Sequence, residues 1–263
     1  MRFSFIPYRN GRHGFVTGVI DRLGPVKLLD VGNLGDGEST NLLLKKEVEA
    51  RGGTYCGLDS NEPLTRKLSL PNQKIGDLHA APFGDGEFDV IYAGEILEHT
   101  WTPSLMVSEC YRILKPGGLL VLDTPNPFCI SRILLFFLRK QDSMRDERTL
   151  TYHEAKDRFG QLKGRGEVLL QPQHKLFYTP AMLKQLCDTH GFALESIGTT
   201  IKPRSVIEKI LLWMFPHGGQ HLCIIARKAD LEETFQDIRK NQKNGESTPE
   251  TSMKSEERMT RSS

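Results

Sequence analysis

Val26-Lys27-Leu28-Leu29-Asp30-Val31-Gly32-Asn33-Leu34-Gly35-Asp36-Gly37-Glu38-Ser39-Thr40 reads as a buried strand, a glycine turn and the start of a helix. Val26, Leu28, Leu29 and Val31 form the short apolar run expected of a central parallel strand covered on both faces. Gly32, Gly35 and Gly37 let the backbone bend sharply and approach a ligand with no Cβ in the way. Asn41 to Ala50, with Leu42, Leu43, Leu44 and Val48, reads as the following helix. A helix N-terminus over such a turn offers N–H groups to a polar ligand. Three glycines alone fit equally a strand–helix turn that binds nothing, so the rest of the chain decides.

The chain has 263 residues and a net charge of +2. That length supports one large domain, or one and a half, with a sizeable core. The near-neutral charge gives no whole-chain drive toward nucleic acid or an anionic membrane, so any basic patch must be local. The five cysteines, Cys56, Cys110, Cys129, Cys187 and Cys223, are scattered without a CxxC pair. They read as reduced thiols in a cytoplasmic protein and not as a disulfide framework or zinc site. Met1 to Asn10 lacks an apolar h-region, so no signal peptide is expected, and no apolar run reaches membrane-spanning length.

Working outward, residues 1–14 read as irregular and basic, and Phe15 to Leu23 as a helix stopped by Gly24-Pro25. Thr54 to Leu58 reads as the second strand with Asp59 at its end, 22 residues past Gly37. An acidic side chain there can accept hydrogen bonds from both hydroxyls of a ribose, or serve as an ordinary helix N-cap. Further strands are expected at Lys74–Leu78, Phe88–Ala93, Leu119–Asp123, Phe192–Ile201 and His221–Ala226. Helices are expected at Pro103–Leu114 and, behind the Thr179 N-cap with Pro180 at its first position, through His190. Ile130–Leu138 and Arg204–Phe215 read as strongly apolar helices. Residues 241–263 are poor in apolar side chains and read as disordered.

The strand–helix alternation argues for an α/β fold with a parallel sheet and helices on both faces. The series Phe88-Asp89-Val90-Ile91, Glu95-Ile96-Leu97-Glu98-His99, Tyr111 to Gly118 and Thr124-Pro125-Asn126 resembles the class I S-adenosylmethionine-dependent methyltransferases. Within them it is similar to the branch of ubiquinone-type and small-molecule O-methyltransferases. His174 to Thr179, ahead of a helix ending in His190-Gly191-Phe192, fits the same branch. The first loop departs from the family pattern by one residue after Gly32.

The resemblance implies a Rossmann-like seven-stranded sheet in order 3-2-1-4-5-7-6, last strand antiparallel. It implies a methyltransferase domain over 24–228, preceded by an N-terminal helix and basic arm (1–23) and followed by a C-terminal helix and disordered tail (229–263). Insertions at 128–172 and 202–220 would form a helical lid over the acceptor. The implied cofactor is S-adenosylmethionine, released as S-adenosylhomocysteine. Gly32, Asn33, Gly35 and Gly37 would line its methionine part, with Asp30 supporting the loop. Asp59, with Ser60 beside it, would hold the ribose. Asp77 and Leu78 would flank the adenine, and Glu95 would lie near the methionyl end.

His99 is the candidate general base, with Glu98 orienting its ring. If helical, Glu95, Glu98 and His99 would converge and could hold a divalent metal ion. In the plainest reading Glu98 and His99 only cap and pack the loop. The expected acceptor is a small molecule or lipid, with an oxygen methylated. Peripheral membrane contact through the two apolar helices is a further expectation. The competing reading is a non-catalytic cofactor-binding or scaffold protein with a degenerate methyltransferase fold. A nicotinamide dehydrogenase also uses a glycine turn and an acidic strand end, but has no counterpart to Glu95–His99 and Lys115–Gly118.

Overall fold

The computed structural model describes residues 5–9, 11–34, 40–131, 133, 176–201 and 206–229. Its strands are β1 (Phe5–Arg9), β2 (Lys27–Val31), β3 (Thr54–Asp59), β4 (Gln73–Ile75), β5 (Phe88–Gly94), β6 (Leu114–Pro125), β7 (Phe192–Ile201) and β8 (His221–Lys228). Its helices are α1 (Gly11–Leu23), α2 (Thr40–Ala50), α3 (Glu62–Leu68), α4 (Pro103–Ile113), α5 (Pro180–Thr189) and α6 (Val206–Met214).

All eight strands join one sheet in the order β1-β7-β8-β6-β5-β2-β3-β4. Counted from β2, the last seven strands run 3-2-1-4-5-7-6, and β8 is antiparallel to both its neighbours. This is the expected Rossmann-like sheet. The additional strand, β1, corrects the reading of residues 1–14 as irregular. Phe5–Arg9 pairs in parallel with Ile197–Ile201 and extends the sheet edge. Its Phe-Ile-Pro-Tyr-Arg sequence carries a proline and no clean alternation, and an edge strand tolerates both.

Successive strand residues face opposite sides of the sheet, and each side has its own core. Leu29, Val31, Ile91, Leu120, Leu122 and Ile224 pack with Met106, Ile113 and Cys187 of α4 and α5. Leu28, Val90, Val121 and Ile225 pack on the other side with Phe15, Val19 and Ile20 of α1 and Val48 of α2. A side chain of this size, fully buried, contributes about 1.5–3 kcal/mol. This double burial is why the strands read as continuous apolar runs. Lys115-Pro116-Gly117-Gly118 already belongs to β6, which starts at Leu114 opposite Phe88, five residues before the expected Leu119.

The strands β2, β3, β5, β6 and β7 run parallel, so their carboxyl ends lie on one side. The turn after β2 and the start of β8 lie there as well. All five cysteines are buried as thiols. No helix among the described residues is long and apolar enough to cross a membrane.

Candidate functional site

The glycine turn follows β2 directly. Gly32 has φ +64°, which any other residue adopts at a cost. A Cβ there would also lie 2.0 Å from Ile96 Cδ1. The turn is tied to β3 twice: Gly32 N–H donates to the Leu58 carbonyl at 2.7 Å, and Leu34 N–H to Asp59 Oδ2 at 2.9 Å. Gly35 and Gly37 lie outside the described residues.

Asp59 is buried at the end of β3, and its Oδ1 accepts from Asn61 N–H at 2.8 Å. It is not the N-cap of α3. Asn61 fills that role, accepting from Leu64 N–H. A carboxylate carries about four acceptor sites, so Asp59 retains capacity for ligand hydroxyls while bracing the turn. Ser60 beside it is exposed. Asp77 caps a short 3₁₀ turn over Leu78–Ala80 and accepts from His79 N–H at 2.9 Å. Burial opposes ionisation of Asp77, but hydrogen bonds from the His79 backbone and ring hold its pKa below the ordinary value. Leu78 differs from expectation: its side chain joins Leu58, Ala81 and Phe83 in the core, leaving only its main chain for an adenine ring.

Asn33 is a second correction. Its amide is buried and turned beneath the loop, where it pairs reciprocally with Gln73 at 2.7 and 2.8 Å and donates to Tyr55 Oη at 3.1 Å. Tyr55 in turn donates to Asp30 Oδ2 at 2.9 Å. Burial pushes the Asp30 carboxyl up to about 7, against the Tyr55 hydrogen bond and the Arg12 charge. This chain of polar groups locks the turn to β3 and β4 from below.

Glu95 stands just past β5 with φ +54°, rare for a side-chain-bearing residue. Two cations or donors hold it. Arg12 Nη1 donates to Oε2 at 2.8 Å, and His221 Nε2 lies 2.9 Å from Oε1. A carboxylate only accepts, so His221 Nε2 carries the proton. His221 Nδ1 lies 2.9 Å from the Thr200 hydroxyl. Arg12 also reaches Asp123 Oδ1, Nε to oxygen 2.6 Å, and donates to Tyr92 Oη at 3.3 Å. Tyr92 donates to Asp123 Oδ2 at 2.6 Å. Burial works against the Arg12 charge, but Asp123, Tyr92 and Glu95 outweigh it and raise the pKa. Gly94 makes this network fit, since a Cβ there would sit 2.3 Å from Tyr92 Oη and 2.5 Å from Arg12 Nη2.

Arg12, Tyr92, Asp123 and His221 are the site residues that sequence reasoning missed. Tyr92 and Asp123 carried a signal: each interrupts an apolar strand that is buried on both faces. Arg12 and His221 carried none, being 83 and 126 residues from the glutamate they hold.

Glu98 and His99 sit on a three-residue 3₁₀ turn, Leu97–His99, and not on an α-helix. Glu95, Glu98 and His99 therefore do not converge. Glu95 faces Arg12 and His221, while Glu98 points inward and accepts from the Thr124 hydroxyl at 3.0 Å. No group of three His, Cys, Asp or Glu residues suited to a metal ion occurs among the described residues. Burial pushes the Glu98 carboxyl up to about 8, reinforced by the charges of Glu95 and Asp123 against the Thr124 hydrogen bond. Burial thus favours its protonated form, and Thr124 is a hydrogen-bond partner of its carboxyl. His99 is half-buried, its N–H bonded to the Ile96 carbonyl at 2.9 Å. Leu176 N–H and Tyr178 Oη donate to the Glu98 and Leu97 carbonyls, at 3.4 and 3.3 Å, and fasten the segment before α5 onto this turn. Residues 132, 134–172 and 202–205 of the expected lid, and His174, lie outside the described residues.

The arrangement is thus a backbone turn with a carboxylate beside it, at the carboxyl ends of β2 and β3, and a charged network at the end of β5. Residues 29–122 match a family model described as a methyltransferase domain. A malonyl-[acyl-carrier protein] O-methyltransferase of Coxiella burnetii is 34% identical over 108 residues, 40% of this chain and 36% of its own. A ubiquinone biosynthesis O-methyltransferase of Psychrobacter cryohalolentis is 32% identical over 150 residues, 48% of this chain and 52% of its own. The chain spans about half or less of the length of these relatives. A SAM-dependent methyltransferase of Archaeoglobus fulgidus shares the fold with a TM-score of 0.50 at 19% identity, covering 83% of this chain and 95% of that one. The matched segment runs from β2 into β6. Arg12 and His221 reach into it from outside.

Proposed function

We propose that this chain transfers the methyl group of S-adenosylmethionine to an oxygen of a small-molecule or lipid-like acceptor. The observation that carries the reading is the Gly32 turn braced by Asp59 through Leu34 N–H, inside the segment that matches a methyltransferase domain. The residues suit the cofactor. The missing Cβ at Gly32 lets the turn close against Ile96 at a positive φ, and Asp59 keeps acceptor capacity for ribose hydroxyls. The cofactor, when bound, supplies a methyl group already activated on a sulfonium.

The protein then has to bind, align and deprotonate. Asp59 with Ser60 takes the ribose end, the main chain at Asp77 and Leu78 the adenine, and the Gly32–Gly37 turn the methionine part. Glu95, fixed by Arg12 and His221, sets the methionyl end. His99 takes the proton from the acceptor hydroxyl. Names of the similar O-methyltransferases support oxygen as the acceptor atom. Incubating the protein with methyl-labelled S-adenosylmethionine and fractionated metabolite and lipid extracts tests the reading. Label should enter an ether or ester product, and His99→Gln should lose turnover while keeping cofactor affinity, with no effect of chelator. Normal turnover in His99→Gln would remove it as the base.

One observation favours a second reading. The loop from Asp30 to Gly37 is one residue longer after Gly32 than the family pattern, which suits a protein that binds the cofactor without turning it over. Binding in calorimetry with no label transferred to any extract would select it.

A further inference from the structure

Helix α6 is built inside out. Its buried side carries Glu208 and Leu212, one turn apart, and Glu208 accepts a hydrogen bond from Ser131. Its outward stripe is Val206, Ile210 and Trp213, flanked by Ile207 and Met214. A helix of a water-soluble surface has the opposite polarity. Val206 is 75% exposed and Trp213 84%. Phe215 just past the helix, and Phe128 and Ile133 on the segment that holds Ser131, are exposed as well.

This helix is firmly seated. Asn126 donates to the His217 and Gly219 carbonyls at 2.8 Å each, and the Thr199 hydroxyl to the Pro216 carbonyl at 2.6 Å. These bonds pin the turn after α6 to the carboxyl ends of β6 and β7. Ile130 packs against Gly218 on the same side. The apolar face is therefore held outward on the side of the sheet where Gly32 and Glu95 lie.

We infer that the outward face of α6, with Phe128, Ile133 and Phe215, docks on the surface of an anionic lipid bilayer. The charge on the helix favours this over a protein partner. Glu208 is turned inward, so the charge it presents outward is Lys209, and Lys202 and Arg204 precede it in sequence. Apolar side chains with a tryptophan beside a lysine match the boundary between acyl chains and acidic headgroups. A nine-residue helix lies in that boundary and does not cross it. The inference stands on the surface alone and does not require the proposed reaction.

Flotation of the full chain with vesicles tests it, using phosphatidylcholine alone and phosphatidylcholine mixed with phosphatidylglycerol. The protein should float with the mixed vesicles, more weakly as salt rises. In a Trp101→Phe background, Trp213 emission should shift to the blue on adding them. Ile210→Glu with Trp213→Glu should lower partitioning by more than about tenfold while melting temperature stays unchanged, because both side chains point away from the core. Equal flotation of the double variant, or none by the wild type at low salt, would overturn the inference. So would a concentration-dependent dimer broken by the double variant in the absence of vesicle binding, which would assign the face to a second copy.

Discussion

Arg12 Nε lies 2.6 Å from Asp123 Oδ1, joining the helix ahead of the glycine turn to the end of β6. Asp123 is fully buried, so this contact places one charge in the interior only because another sits against it. Removing one member of such a pair leaves the other uncompensated, at a cost of about 3–5 kcal/mol. Arg12→Ala should therefore lower unfolding free energy by about that much in urea titrations. Arg12→Lys should recover only part of it, because an ammonium cannot reach Glu95, Asp123 and Tyr92 together. An Arg12→Ala protein of wild-type stability would show the network to be ornamental.

Gly32 offers a second, local test. Gly32→Ala meets both the φ penalty, about 1–2 kcal/mol, and the collision with Ile96. Cofactor affinity should fall sharply, and the paired change Ile96→Ala should restore a fraction by removing the collision while the φ penalty remains. Full recovery in the double variant would mean that the positive φ is immaterial.

The pH dependence of stability has a stated sign. Burial raises Glu98 from 4.5 to about 8 and Asp30 from 3.8 to about 7. Raised carboxyls stabilise the fold in their protonated form, fully below their unfolded values, and that contribution is lost as pH rises through the folded ones. Thermal stability attributable to these groups should decline between about pH 4.5 and 8. Glu98→Gln keeps the neutral shape, so it should flatten the decline and melt above wild type on the alkaline side, with little difference at acid pH. A parallel decline in wild type and Glu98→Gln would exclude Glu98 as its source.

The sheet was legible because double burial writes itself into the strands: Leu28 and Leu29, or Leu119 to Leu122, are apolar at consecutive positions with no polar face to mislead. β1 was not, since an edge strand held by backbone pairing to β7 needs no such run. The places of Gly32 and Asp59 followed from residue type and spacing. Asn33 was misassigned because sequence places it in the loop but does not tell that its amide turns down to Gln73. Glu95, Glu98 and His99 were expected to converge on α-helical spacing. The 3₁₀ turn and the positive φ of Glu95 send them apart, and neither feature has a signature in residue type.

The account rests on cofactor recognition, and isothermal titration of the full chain with S-adenosylmethionine measures it directly. The wild type should bind with one-to-one stoichiometry. Asp59→Ala should weaken binding by about 1–3 kcal/mol, the range for hydrogen bonds to a charged group, while far-ultraviolet circular dichroism stays unchanged. Absence of binding heat in the wild type at any cofactor concentration, confirmed by equilibrium dialysis, would contradict the account.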